Sequence, residues 1–307
     1  MTSERLHVDR GISVIIPTLG RPTLRDCLTH LQRGTMIPFE VLVVHQGDDT
    51  TTQETCTEFD LFGMPCRYLP FPHQRGAGSA RNRGIERCRT RLLATIDDDC
   101  LADEQWLATL SQRLTAHPAS VISGQVRSGT GGNAPSLIEA PAPRVYTAPT
   151  RDRDVLYTGC MGSSLDVFER VGLFSEARAL LPAAEDNEWA YRVLSAGVPI
   201  RYEPTARVTH VDWRSAAEDA DVDHRYAAGQ GGFYGLYLRR LDGFVARRAL
   251  RDLMRSVLDG LVGLRRRDIP RAKAGLQRFV HLVRGIFAGL TERTVHPLPG
   301  PVVPPSD

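Results

Sequence analysis

Leu92-Leu93-Ala94-Thr95-Ile96-Asp97-Asp98-Asp99 is the stretch on which the fold turns. Five mostly apolar, β-capable residues run straight into three adjacent carboxylates. A short apolar run ended by polar residues reads as a buried parallel strand. Three acids at its carboxyl end repel one another unless positive charge sits among them. A divalent cation is one answer, because hard cations take carboxylate oxygens and bridge them to substrate phosphates. A solvated turn, with Asp99 capping the next helix, is the other.

Around this stretch, apolar runs alternate with segments of helical period. Residues 12–18 read as a first buried strand stopped by Pro17, and residues 22–32 as a helix with Leu24, Cys27, Leu28 and Leu31 on one face. Residues 39–44 form a second strand running into His45-Gln46-Gly47-Asp48-Asp49. Residues 66–69 form a third, and residues 76–88 a glycine-rich turn into a helix. Beyond the acidic cluster come a helix (103–117), a strand (121–126), a small-residue strand and turn (157–165) and a short helix (166–171). A helix opening near Ala183 is ended by Gly197, and two strands follow at 200–202 and 207–211. Residues 128–149, rich in Gly, Pro and Ala, read as a mobile loop over the site. The alternation predicts an α/β fold with a mostly parallel, doubly wound sheet. Ligands of such sheets bind beyond the carboxyl ends of strands, so Thr18, residues 45–49 and Asp97 to Asp99 share one rim.

The 307 residues are 42% hydrophobic and 24% charged, enough for one large domain or two smaller ones. The net charge of +2 hides a segregation: residues 226–290 hold thirteen Lys and Arg against four Asp and Glu, and residues 1–225 carry −6. The carboxyl-terminal part is thus a basic appendage on an acidic body. Six cysteines with no Cys-x-x-Cys pair and no zinc-like spacing read as reduced thiols of a cytoplasmic protein. Residues 1–10 lack the apolar core of a signal peptide. No apolar run approaches the roughly 18 residues of a transmembrane span.

Five motifs stand in order: Ser13-Val14-Ile15-Ile16-Pro17-Thr18, Gly78-x-Ala80-Arg81-Asn82-x-Gly84, Asp97-Asp98-Asp99, Glu185-Asp186 and a trailing His210. Over residues 12–238 this order resembles a family-2 glycosyltransferase with the GT-A fold. The resemblance implies inverting transfer of a sugar from a nucleoside-diphosphate donor to an acceptor hydroxyl. The family's Asp-x-Asp element falls on Asp97 to Asp99. It puts Asp97 and Asp98 toward the donor and makes Asp99 a metal ligand. His210 resembles the histidine that completes the metal site in some members. An imidazole ligand favours Mn²⁺ over Mg²⁺. Asp186 corresponds to the general base, with Glu185 orienting or tuning it. On the donor side the resemblance points to Pro17, Thr18 and Arg21 in the first loop, Gln46 at the base edge, Arg81 and Asn82 in the turn, and Gly159 and Cys160 beside the sugar. Many members carry acidic residues directly after the second strand, where this chain has His45 and Gln46. UDP, dTDP and GDP all stay open.

Plainer readings stand beside these. His210 can be a strand-end histidine in solvent, and the Glu185-Asp186 pair can be helix-start electrostatics. Arg81 can be a structural ion pair, and the Gly159-Cys160 segment tight packing. Trp189 reads as core, Trp213 as an exposed stacking platform.

Residues 223–233 resemble a basic, glycine-rich element that closes over the diphosphate in some relatives, with Arg225 and Gln230 as candidate lid contacts; a linker is the alternative. Residues 248–264 form an amphipathic helix with a stripe of Leu250, Leu253, Met254, Val257, Leu258, Leu261 and Val262, and Pro270 starts another. Such a pair packs on the domain or on a second subunit as a homodimer, or lies on an anionic membrane surface. The expected division is a polar lead (1–10), a catalytic domain (11–225), a basic helical region (226–290) and a disordered tail (291–307). The expected partners are a nucleotide-sugar donor and a glycan, lipid-linked or small-molecule acceptor, with no nucleic acid. The expected place is the cytoplasm, peripheral to the inner membrane face.

Other chemistries fit less well. A sugar-nucleotide nucleotidyltransferase wants a glycine-rich basic loop after the first strand, but Pro17-Thr18-Leu19-Gly20-Arg21-Pro22 holds one Gly and two Pro. A phosphatase using Asp97 and Asp99 wants a downstream Lys, and the chain's single lysine, Lys273, lies in the basic appendage. A non-catalytic carbohydrate- or lipid-binding module needs neither a metal cluster nor a base.

Overall fold

The amino-terminal half builds a parallel sheet one strand at a time. The computed structural model describes residues 8–73, 76–129, 138–150, 155–211 and 216–292. Trp213, the lead up to residue 7, residues 130–137 of the expected loop and the tail from residue 293 lie outside the described residues. Strands β1 (Val8–Thr18), β2 (Glu40–His45), β3 (Cys66–Pro70) and β4 (Thr90–Ile96) alternate with helices α1 (Thr23–Gln32), α2 (Thr51–Leu61) and α3 (Ala77–Ile85). Then follow β5 (Cys100–Ala102), α4 (Trp106–Ala116), β6 (Val121–Ser128), β7 (Arg144–Tyr146), β8 (Cys160–Ser164), α5 (Leu165–Val171), α6 (Glu185–Ser195) and β9 (Ile200–His210).

The strand order is β3-β2-β1-β4-β8-β6-β9-β5, with β7 on β9. It is parallel from β3 to β4 and between β6 and β9; β8, β5 and β7 run antiparallel to their neighbours. The sheet is therefore parallel only in the half that carries βαβ crossovers and mixed beyond, which the alternation alone does not reveal. Both faces are covered. Val14, Ile16, Val41, Val43, Ala94 and Ile96 pack into one core with α1 and α4, and Ile15, Leu42, Val44 and Leu93 into another with α5 and Trp189. This is the period-two alternation of strands buried on both sides.

Pro17 does not stop β1, which pairs with β2 as far as Thr18 opposite His45. The Ile12 and Thr18 carbonyls accept from Phe39 and Gln46 on the β2 side, so Pro17, of opposite parity, faces β4. The β1–β4 pairing has already ended at Ile15 and Thr95, and the missing N–H of Pro17 costs no ladder bond. The two strands expected at 200–202 and 207–211 are one strand, β9, with a register irregularity between Gly124 and Gln125 of its partner. Part of the expected loop joins the sheet, through β7 and a bridge between Val126 and Ile138.

Among the described residues the chain forms two compact units, the second made of Ser175–Glu188 and the helices α7 (Ala216–Leu238), α8 (Gly243–Arg265) and α9 (Ile269–Thr291). The helical region thus begins before residue 226. Glycine inside a helix is costly, by about 0.5–1 kcal/mol relative to Ala. Gly231 and Gly235 of α7 accept it because α9 backbone lies against them: a Cβ on Gly231 would come 2.3 Å from the Leu282 carbonyl oxygen, and one on Gly235 2.3 Å from that of Ile286. Gly285 and Gly289 answer from α9. The six cysteines are buried thiols. No described helix is long and apolar enough to cross a membrane.

Candidate active site

Three neighbouring carboxylates at the end of β4 each meet a different partner. Asp98 is the most enclosed. Thr18, the last residue of β1, donates its hydroxyl to Asp98 Oδ2 at 2.6 Å, and Arg21 Nη1 donates to Asp98 Oδ1 at 2.7 Å. Arg21 Nη1 also stands 3.7 Å from Asp99 Oδ2. The loop returns Arg21 over the cluster through Gly20, whose φ of 86° is left-handed and whose Cβ would strike Asp49 Oδ2 at 2.2 Å. Burial pushes the Asp98 carboxyl up to about 6, against the pull of Arg21. Burial opposes the Arg21 cation in turn, but Asp98 and Asp99 outweigh it and raise the guanidinium above its ordinary value.

Asp97 is arranged differently. Arg81 Nη2 donates to Asp97 Oδ1 at 2.6 Å, and the Tyr157 hydroxyl donates to Oδ2 at 3.0 Å. Burial would raise this carboxyl, but Arg81 and Tyr157 prevail and hold it below its usual value. Gly159 must be glycine here, since a Cβ would lie 2.6 Å from Asp97 Oδ2.

Asp99 faces the other way. Its carbonyl accepts the Val211 N–H at 2.8 Å, and the next residue, Cys100, pairs with His210 across β5 and β9. That register sets His210 Nε2 at 3.7 Å from Asp99 Oδ1. Both side chains are buried, which removes the reading of His210 as a solvent-facing strand end. No group of three His, Cys, Asp or Glu among the described residues is arranged to hold a metal ion. Two facing donors, one carboxylate and one imidazole, are of the kinds that ligate divalent cations. By donor chemistry Asp99 and His210 fit a divalent cation.

Several expected donor contacts have other partners. Gln46 exchanges two hydrogen bonds with the backbone of Gly76, each 3.1 Å long, and so holds the entry to α3. Asn82 does the same with Phe174: Nδ2 donates to its carbonyl at 2.9 Å and Oδ1 accepts from its N–H at 3.0 Å. It clamps two segments ninety-two residues apart in the chain. Cys160 points into the core and accepts the Trp106 indole N–H at 3.3 Å, because β8 alternation turns its side chain to that face. Pro17 is a buried strand residue with no donor to offer. Trp189 is core, stacked on Phe168 at 4.8 Å.

Glu185 and Asp186 open α6 and belong to the second unit. Asp186 Oδ1 accepts the Asn187 N–H at 2.7 Å. The turn before them contains Ala183 at φ 57°, a left-handed conformation unusual for a residue with a Cβ. Asn187 Nδ2 donates to Gln230 Oε1 at 3.2 Å, and Tyr237 donates its hydroxyl to Glu188 Oε1 at 2.8 Å. The segment expected as a lid is therefore mid-helix: Arg225 is exposed on α7, and Gln230 steadies the acidic turn. Sequence reading missed these two contacts and the Tyr157 hydroxyl. Nothing in the spacing of Asn187 and Gln230, 43 residues apart, signals that they meet.

Residues 13–155 match the family model described as glycosyl transferase family 2. Among curated proteins the chain is 28% identical over 196 residues to glycosyltransferase AglE of Haloferax volcanii, covering 62% of this chain and 64% of that one. It is 26% identical over 221 residues to the pre-mycofactocin glycosyltransferase of Mycobacterium tuberculosis, covering 68% and 44%. The chain thus spans less than two thirds of the length of either relative. Among solved structures, the mannosyltransferase PcManGT from Pyrobaculum calidifontis, in complex with GDP-Man and Mn²⁺, shares the fold with a TM-score of 0.61 at 14% identity, covering 92% of this chain and 88% of that one. S. aureus TarS 1–349, in complex with UDP-GlcNAc, does so with a TM-score of 0.55 at 16% identity, covering 72% and 66%. Residues 13–155 are thus similar to glycosyl transferase family 2, and the sheet that ends in the Asp97-Asp98-Asp99 cluster has the fold of these solved glycosyltransferases.

Proposed function

We propose that this protein is an inverting glycosyltransferase that moves a sugar from a nucleoside-diphosphate donor to an acceptor hydroxyl. The observation that carries the reading is the cluster at the carboxyl ends of β1, β4 and β9, where Asp98 meets Thr18 and Arg21, Asp97 meets Arg81 and Tyr157, and Asp99 faces His210. Asp99 and His210 would hold Mn²⁺ or Mg²⁺, which when bound supplies positive charge to the leaving diphosphate. Asp97 and Asp98 orient the donor from the same rim. Arg21 and Arg81 fix the carboxylates before substrate arrives, and Arg81 favours the charged form of Asp97.

Asp186 is the general base. It takes the acceptor proton as the acceptor oxygen attacks the anomeric carbon, and the bond to the diphosphate breaks on the opposite face, inverting the configuration. Glu185, its neighbour in the chain, orients or tunes it. The acceptor is a glycan, a lipid-linked sugar or a small molecule, and the place of work is the cytoplasmic side of a membrane.

A thermal-shift screen of UDP, dTDP and GDP, each with and without Mn²⁺, tests the donor half. Stabilisation follows binding to the folded state. Stabilisation by one nucleotide that needs the metal supports the reading, and no response to any of them overturns it. Asp186→Asn tests the base: metal-dependent nucleotide binding stays and transfer falls by about 10²–10⁴-fold. Near-normal transfer by that variant removes Asp186 from the role.

A further inference from the structure

The second unit wears its apolar stripe on the outside. In α8, Leu250, Met254, Val257, Leu258, Leu261 and Leu264 are 43–61% exposed, whereas Arg248, Asp252, Ser256 and Gly263 are buried. At about 100° per residue the exposed set covers an arc of roughly 120°, centred opposite the buried set. The polar face is inward for a reason. Asp252 accepts the Tyr234 hydroxyl at 2.5 Å, Arg248 lies over the Phe233 ring, and Ser256, Gly260 and Gly263 let α9 approach at Gly275 and Ala272. In α9 the buried positions are Gly275, Leu282, Gly285 and Gly289, while Ile269, Leu276, Val283, Phe287 and Leu290 are 42–68% exposed.

The two stripes turn to one side. Gly263 meets Ala272 and Gly260 meets Gly275, so α8 and α9 run antiparallel. In each helix successive flanks face α7, then the other helix, then carry the stripe. Antiparallel neighbours bring those third flanks to the same face. The cations follow the same geometry. Arg251 and Arg255 border the α8 stripe on the side away from α9, Arg247 and Arg265 stand at its two ends, and Lys273 and Arg284 border the α9 stripe on the side away from α8. The acids of the hairpin are otherwise engaged: Asp252 is buried, Asp259 pairs with Arg271 at 2.8 Å, and Asp268 caps α9.

We propose that this face of α8 and α9 docks on an anionic lipid bilayer, in the plane of the interface. An apolar strip about 35 Å long, from 23 residues at 1.5 Å each, with cations along both edges, matches a surface whose interior is apolar and whose headgroups are negative. A second copy fits less well, because a two-fold contact would set these basic edges against one another with no exposed acidic row to meet them. The inference does not depend on the proposed chemistry, since it rests on the second unit alone.

Co-sedimentation of the full chain with vesicles tests it. Binding to phosphatidylcholine vesicles containing phosphatidylglycerol, weakened by salt and weak or absent on phosphatidylcholine alone, is expected. Arg247→Gln, Arg251→Gln and Arg255→Gln should each weaken binding about fivefold, equivalent to roughly 1 kcal/mol per cation near an anionic surface. Leu258→Glu with Leu261→Glu should abolish it without changing the thermal midpoint, because both positions are exposed. Equal binding to neutral vesicles, indifferent to the arginines, overturns the charge match. Absence of vesicle binding overturns the proposal outright. If sedimentation equilibrium then shows a dimer that the glutamate pair dissociates, a second copy covers the face instead.

Discussion

Arg21 reaches two members of the acidic cluster at once, 2.7 Å from Asp98 Oδ1 and 3.7 Å from Asp99 Oδ2. With Arg81 on Asp97 and His210 facing Asp99, the repulsion among three adjacent carboxylates is met by the chain's own groups. The cluster is therefore held in place by the chain's own groups, the kind of preorganisation that the proposed transfer calls for.

The Asp98 carboxyl sets a pH dependence of definite sign. Folded, it keeps its proton up to about 6; unfolded, it loses it near 3.8. The folded state binds more protons between those values, so stability falls as pH rises through that window and is level above it. The loss is on the order of 3 kcal/mol. Asp98→Asn should flatten it, as read from urea unfolding at several pH values across the window. Asp97 acts oppositely and lower: held below 3.8, it contributes stability that is lost only as pH falls further. Equal slopes for wild type and Asp98→Asn would show that Asp98 is not the group responsible.

Asn82→Ala should lower stability by about 1–3 kcal/mol, because the Phe174 N–H and carbonyl lose their partner in a buried place. Nucleotide affinity of the folded variant should stay within about twofold, less than the 1.4 kcal/mol of a tenfold change. A large loss of affinity at unchanged stability would return Asn82 to the donor site.

His210→Ala should weaken Mn²⁺ binding in the presence of nucleotide by on the order of 10–100-fold, the scale seen even for groups one shell removed from a metal. Paramagnetic titration of free Mn²⁺ measures it directly. Unchanged affinity would leave Asp99 without its expected partner.

Gly235→Ala should cost about 1–3 kcal/mol, since its Cβ would sit 2.3 Å from a backbone oxygen that cannot swing aside. Gly243→Ala, with nothing within 4 Å, serves as the control and should stay within about 0.5 kcal/mol. Comparable denaturation midpoints for the two variants would refute the close packing of α7 on α9.

Much of this was legible in residue order. Strand ends, the acidic run after Ile96 and the glycine-rich turn before Arg81 are local patterns, and local patterns place the carboxyl ends of parallel strands on one rim. Helix α2 was not legible, because its Thr-rich sequence has little apolar periodicity, and neither was β5, three residues long. Gln46, Asn82 and Cys160 sit at the expected positions in the chain, yet their side chains meet Gly76, Phe174 and Trp106. Which partner an amide or thiol finds depends on segments far away in sequence.

By itself, then, the sequence determined the strand-helix alternation, the acidic cluster and the basic amphipathic helices, since apolar period and charge are properties of neighbours along the chain. Tertiary structure alone decided the rest. It assigned a different partner to each of Asp97, Asp98 and Asp99, turned a supposed lid into the glycine-packed α7, and faced the α8 stripe outward. Those outcomes follow from register and close approach between distant segments, and amphipathicity shows that a face is apolar without saying which side of the helix its neighbours will take.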